Sequence, residues 1–307
     1  MNETPTDRLS TDGERPPERA RRSRSEVAWR FFKSAPWSAR FGLLAITFYA
    51  FIALFAPVLT PYGESQIVGP AFDAWSKQFP LGTDNLGRDM LTRLLYGARN
   101  TIGIAFLTTC FAFAIGGIAG LIAATLGGWV DQALGRVVDI IMAIPVLIFA
   151  LLLLTIFGTS IPVLITIIAI LYSTPVFRLA RAVSMNVAVL EFVEAARLRG
   201  EGLGWITIRE ILPNITAPLV AEFGLRFCFV FLLISALSFL GLGIQPPTAD
   251  WGSMVRDHAT LISFWNVDPK LGVTPLLPAG AIALLTVGVN FVVDWFLHKT
   301  SGLRDDQ

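Results

Sequence analysis

Six apolar runs, separated by polar or broken stretches, set the pattern of this chain. They lie at residues 41–59, 102–126, 137–157, 162–183, 217–242 and 276–297. Read as helix at about 1.5 Å per residue, the first covers roughly 28 Å, enough for the hydrocarbon core of a bilayer. The fourth is most apolar as far as Phe177 and carries Pro175. The pattern predicts an all-α integral membrane protein with about six transmembrane helices. No small-residue cleavage site follows a short apolar segment at the first run, so it reads as an uncleaved anchor.

The stretches between the runs predict smaller elements. Residues 81–101 read LGTDNLGRDMLTRLLYGARNT. Leu86, Met90, Leu94 and Leu95 recur at helical spacing opposite Arg88, Asp89 and Arg93, with Thr83 or Asp84 as the cap, which predicts an amphipathic helix on the outer face. Residues 1–40 are polar, with Pro5, Pro16 and Pro17 and arginines at 19, 21, 22 and 24. Such a segment cannot bury a core, and disorder is expected at least to Ser25. The arginines read as a solvated tail that sets orientation, in preference to a nucleic-acid-binding arm. Over residues 26–40, Trp29, Phe31, Phe32 and Trp37 mix with Arg30 and Lys33, a composition suited to a short helix in the headgroup layer.

Composition supports the membrane class: 54 % of residues are hydrophobic and only 15 % are charged, too little polar material to cover a soluble domain of 307 residues. The two cysteines, Cys110 and Cys228, both fall inside apolar runs and read as small packing residues, not a disulfide or metal site. The net charge of +1 is less informative than its distribution. Lys and Arg over residues 1–40, 127–136, 178–216 and 298–307 come to 17, against six over 60–101, 158–161 and 243–275. The positive-inside rule then places both termini in the cytoplasm, as an even number of spans requires.

No G-x-x-x-x-G-K-[ST], H-E-x-x-H or G-x-S-x-G pattern occurs in the chain, so it has no phosphate cradle of the Walker A kind and no residue set that argues for catalysis. Within the spans, Glu222 and Arg226 are four apart and can pair along one helical face. Asn290 and Asp294, also four apart, read as interhelical hydrogen-bonding groups. Gly116, Gly117 and Gly120 point to close helix packing. Ser235 and Ser238 could line a solute path, with Asn290, although hydroxyls in spans often only satisfy backbone carbonyls.

The loop at residues 184–216 is the informative one. From Leu190 to Leu219, where the loop meets the fifth run, the sequence reads LEFVEAARLRGEGLGWITIREILPNITAPL. Residues 191–198 can form two turns of helix, with Phe192, Ala195, Ala196 and Arg199 near one side. Gly200, Gly202 and Gly204 allow a sharp reversal. Residues 205–212 form a second short helix that Pro213 limits. Two adjacent alanines offer a close-approach face for a groove on another protein; an ordinary helical hairpin on the membrane surface is the alternative.

Glu194-Ala195-Ala196, then Gly200, then Ile211-Leu212-Pro213 resembles the EAA loop of the membrane subunits of ABC importers. The general pattern has isoleucine two places before Leu-Pro; here Glu210 stands there and Ile211 follows, a spacing associated with the peptide-importer branch. The blocks SALSFLGLGIQPPTADWGSM at 235–254 and LGTDNLGRDMLTRLLYGA at 81–98 resemble the C-type permease subunit of the dipeptide, oligopeptide and nickel importers. The resemblance runs from about Phe41 to Arg304.

It implies a type I ABC importer permease fold. It also implies a second homologous permease subunit, two ATP-binding subunits and an extracytoplasmic solute-binding protein as partners. ATP and Mg would be bound by those partners and no cofactor by this chain, which would not itself be an enzyme. The residues Glu194, Ala195, Ala196, Gly200, Ile211, Leu212 and Pro213 would couple the chain to an ATPase subunit. Peptides are the first expectation for the solute, with nickel or other small solutes behind them. A secondary carrier is the rival reading, but it would call for an embedded ion site and inverted repeats, and no repeat relates the two halves. A membrane scaffold without transport is a further rival.

Overall fold

The structure, a computed structural model, describes residues 35–300. The expected tail and the first part of the expected headgroup helix fall outside these residues; Trp37 to Arg40 form the first turn of α1 (Trp37–Leu59). Among the described residues ten α-helices follow the sequence order, besides a 3-10 turn at Ala259–Phe264. After α1 come α2 (Met90–Leu126), α3 (Gly128–Met142), α4 (Val146–Phe157), α5 (Ile161–Ala188), α6 (Glu191–Leu198), α7 (Leu203–Phe239), α8 (Trp251–His258), α9 (Pro269–Val273) and α10 (Leu276–Thr300). Among the described residues the only β pairing is two isolated bridges, Ile67 with Arg88 and Thr83 with Asp89.

Among the described residues five helices, α1, α2, α5, α7 and the last helix with its approach, are long and apolar enough to cross a bilayer. The third predicted run differs: residues 137–157 do not form one straight span. α3 and α4 meet at a bend of 87°. Pro145 lacks an N–H and disfavours helix in the residue before it, so α3 stops at Met142 and the chain restarts in a new direction. Gly127 and Gly128, both at positive φ, free the start of α3 from the axis of α2. The fourth run continues as helix past Pro175 to Ala188. Arg178 Nη2 lies 2.5 Å from Asp139 Oδ1, and Arg181 pairs with Asp131, so two ion pairs tie this extension of α5 to α3.

The expected amphipathic helix over 81–101 does not form as such. Residues up to Asp89 are turns and bridges. The cap is Asp89, whose carboxylate accepts from Thr92 N at 2.8 Å and Thr92 Oγ1 at 2.7 Å. The helix that starts there runs without a break into the second apolar run, 37 residues or about 55 Å in length. Asp84 is withdrawn from capping because it is buried in an ion cluster, described below.

Close packing of helices rests on glycine. A Cβ on Gly116 would lie 2.2 Å from the Ser173 carbonyl oxygen, and one on Gly120 would lie 2.8 Å from Ala180 Cβ, so α2 and α5 meet backbone to backbone. Gly117 faces open space and takes no part. Gly42 of α1 approaches Gly288 of α10 in the same way, at 2.3 Å. Where lipid tails are as apolar as the helices, such close contact is a main source of association. The core between α2, α5 and α7 is filled by Leu164, Ile168, Phe231, Ile234, Leu237 and Trp251, all buried. Cys228 packs there as a buried thiol, and Cys110 is half-buried and also free.

Candidate coupling site and the capped end of the bundle

α6 stands where α5 turns back into α7. The turn is closed by a Schellman motif: Gly200 N donates to Arg197 O at 2.9 Å, and Glu201 N donates to Ala196 O at 3.2 Å. Gly200 has φ +83°, a conformation that costs a residue with a Cβ about 1–2 kcal/mol. A Cβ there would meet nothing within 4 Å. Glycine is therefore needed for its backbone alone.

The second short helix of the expectation is instead continuous with the fifth span. From Leu203 the backbone passes through a π-helical turn, Ile206–Ile211, and straight on to Phe239. Leu212 N donates to Thr207 O, five residues back. This wider turn lets Pro213, with no N–H and a ring that would strike a carbonyl in a tight α-turn, enter the helix without ending it.

The inward face of α6 carries Val193 and Ala196, both fully buried against Ile206, Ile211 and Ile215 with Leu121, Val183 and Leu212 around them. Ala196 therefore does not belong to a docking face; it is part of this chain's own packing. The outward face carries Phe192, Glu194, Ala195, Leu198 and Arg199, all exposed, with Leu198 at 84 %. Ile211 is buried, Leu212 half-buried and Pro213 exposed. Arg199 Nη2 lies 3.8 Å from Glu210 Oε1 across the turn, a loose and mostly solvated pair. The face that can meet a partner is thus small at Ala195, acidic at Glu194 and apolar at Phe192 and Leu198. The three-residue spacing of Val193 and Ala196 was the available signal that Ala196 turns inward.

The residues expected along a solute path make local hydrogen bonds in this chain. Ser235 Oγ donates to Phe231 O at 2.9 Å, and Ser238 Oγ accepts from Ile244 N at 3.0 Å; both side chains are buried in the chain. Asn290 Nδ2 donates to Thr286 O at 3.1 Å within its own helix, so its bond is local, not interhelical. Arg226 and Glu222 do form the expected pair along α7.

The opposite end of the bundle from α6 is sealed by two loops stitched to the start of α2. Asp84 Oδ2 accepts from Arg88 Nε at 2.7 Å and lies 3.2 Å from Arg93 Nε, with all three side chains nearly excluded from solvent. Arg93 Nη1 donates to the Glu64 and Pro247 carbonyls, and Glu64 Oε1 accepts from Asn100 Nδ2 at 2.7 Å. Trp251 Nε1 donates to Leu94 O at 2.9 Å, with its ring pressed on Gly97. Asp250 caps α8 through Gly252 N and Ser253 N, and burial pushes its carboxyl above the usual range against those hydrogen bonds. Burial also lowers the His258 imidazole below its usual value; its Nδ1, 2.8 Å from the Met254 carbonyl, is the donor. The two sequence blocks at 81–98 and 235–254 are thus the two halves of one packed unit.

The long apolar helices define a multi-span membrane subunit. The family described as binding-protein-dependent transport system inner membrane component matches residues 116–299, and this chain belongs to it, with the type I ABC importer permease fold. Three relatives cover most of the chain. The dipeptide transport system permease protein DppC of Alkalihalophilus pseudofirmus is 36 % identical over 86 % of this chain and 83 % of its own length. The di/tripeptide transport system permease protein DppC of Pseudomonas aeruginosa is 35 % identical over 82 % and 86 %. The glutathione transport system permease protein GsiD of Pectobacterium atrosepticum is 31 % identical over 90 % and 88 %. The chain is accordingly a multi-pass inner-membrane subunit of an ABC importer. It is not an enzyme: ATP hydrolysis lies in separate subunits, and a binding protein is the other partner of the system.

Proposed function

We propose that this chain forms half of a translocation path for di- and oligopeptides, beside a second permease subunit of similar fold. Of two ATP-binding subunits, which hold ATP and Mg, one docks on α6 through Glu194, Ala195 and the apolar residues flanking them, and the other docks on the partner permease. An extracytoplasmic solute-binding protein delivers the peptide at the end sealed by the 81–98 and 235–254 blocks. ATP-driven closure of the engine pair moves α6, and because α6 is keyed by Val193 and Ala196 into the root of α7, the motion passes into the spans. The observation that carries this reading is the outward face of α6, held on a rigid Schellman turn and backed by its own small core. The names of the relatives support peptides as the solute class, ahead of nickel.

Deletion of the gene should abolish growth on a dipeptide as sole source of a required amino acid, and restoration should need this chain together with its partner permease. Normal dipeptide uptake with nickel uptake lost would move the solute to the metal branch. The orientation, both termini cytoplasmic, rests on the 17-to-six charge split. Cysteines placed at Ser76 and Asn266 should react with an impermeant thiol reagent in intact cells, and one at Gly202 should not. Labelling at Gly202 with none at Ser76 would invert the topology.

A further inference from the structure

A cavity of about 750 Å³ opens between α1, α2, α7 and α10. Its walls are mostly apolar, with Ile46 and Leu54 among the residues from α1, Phe106 on α2, Phe227 on α7 and Leu285 on α10, and one charged residue, Arg99, at its lining. Arg99 is exposed and, among the described residues, makes no ion pair or hydrogen bond. It stands beside Asn100, which is bonded to Glu64 and the Ala249 carbonyl of the sealing loops. Three residues on begins the apolar run of α2. Arg99 therefore sits at the level where the polar end of the bundle meets the hydrocarbon, the depth of a phosphate headgroup. From there the groove descends along α1 by eight residues, about 12 Å, which is the reach of one leaflet's acyl chain in a core about 30 Å thick. Gly103 forms part of the floor; a Cβ on it would meet nothing within 4 Å, so this glycine leaves the groove open and is not required for helix contact.

We infer that this groove is a binding site for an anionic phospholipid, with the phosphate on Arg99 and one acyl chain between α1 and α2. An acyl chain gains little by leaving bulk lipid for an apolar wall, so retention must come from the headgroup. An unpaired guanidinium supplies charge-assisted hydrogen bonds to phosphate. A zwitterionic headgroup brings its own ammonium and gains less. The site is independent of which solute the importer carries.

The test is native mass spectrometry of the purified complex, exchanged in turn with phosphatidylglycerol and phosphatidylethanolamine. The wild-type protein should retain phosphatidylglycerol in preference to phosphatidylethanolamine. Arg99→Gln should lower that retention about tenfold, the weight of one hydrogen bond to a charged group. Gly103→Leu, whose Cβ meets nothing within 4 Å, should abolish it without lowering the unfolding temperature in detergent, since leucine favours the helix more than glycine does. Equal retention of both lipids, or equal phosphatidylglycerol retention in wild type and both variants, would overturn the proposal. So would efficient photocrosslinking from position 103 to another protein chain instead of to lipid, since the groove would then be a subunit contact.

Discussion

Ala195→Trp is expected to abolish transport and lower co-purification of the ATP-binding subunits while leaving this chain inserted and as stable as wild type. Ala195 is exposed on α6 and touches none of the chain's own core, so a large side chain there obstructs only what docks from outside. Overpacking a tight contact costs about 1–3 kcal/mol, which reduces association by roughly one to two powers of ten. Ala196→Trp, one residue on, should fail for another reason. Ala196 is fully buried against Val193, Ile206 and Ile211, so the indole has no room and α6 is levered off the root of α7. The loop should then become sensitive to proteolysis in the isolated chain. Gly200→Val should also lose coupling, because a β-branched residue resists φ +83°, while Gly200→Asn, which tolerates the left-handed region, should retain most of it. Equal behaviour of the Ala195 and Ala196 variants in the proteolysis assay would show that the two faces are not distinct.

Asp84→Asn is expected to destabilise the sealed end of the bundle by about 3–5 kcal/mol, the usual cost of leaving a buried ion pair without one partner. The variant keeps the size of the side chain and removes its charge. Arg88 and Arg93, with side chains 6 % and 4 % exposed, are then left facing each other without the carboxylate between them. Arg93 also holds the carbonyls of Glu64 and Pro247, so the two sealing loops should loosen together. Thermal unfolding in detergent measures the loss, and amide exchange in residues 60–89 and 243–258 should rise. An unfolding midpoint equal to wild type would mean that the arginines find other compensation and that the cluster is not what seals this end.

The spans were legible because long apolar runs have few alternatives in a bilayer. What the pattern missed came from backbone chemistry and burial. Residues 81–89 carry helical spacing, but Asp84 accepts Leu86 N and Arg88 N together with the Arg88 side chain. That network holds the segment in turns and hands the cap to Asp89. Pro145 and Pro213 show that proline cannot be read alone. The first breaks its helix by 87°, while the second is absorbed by the π-turn that precedes it. In the loop at 184–216, a motif written as adjacent letters hides the helical face: Ala195 is exposed, while Ala196, about 100° further round the helix, is buried in the chain's own core. The hydroxyls of the serines at 235 and 238 satisfy backbone groups in the chain's own core. The joining of the 81–98 and 235–254 blocks, far apart in sequence, had no local signal.

The outward face of α6 should be where a separate ATP-driven subunit takes hold of this chain. Site-directed crosslinking in intact membranes tests this most directly, from a diazirine-bearing aliphatic residue of leucine size at position 198, which is 84 % exposed. An ATP-binding subunit should be captured efficiently from 198 and not from the same residue at the buried position 193, with a yield that changes when ATP is added. Crosslinks from 198 only to lipid or to the chain itself, with transport intact, would contradict it.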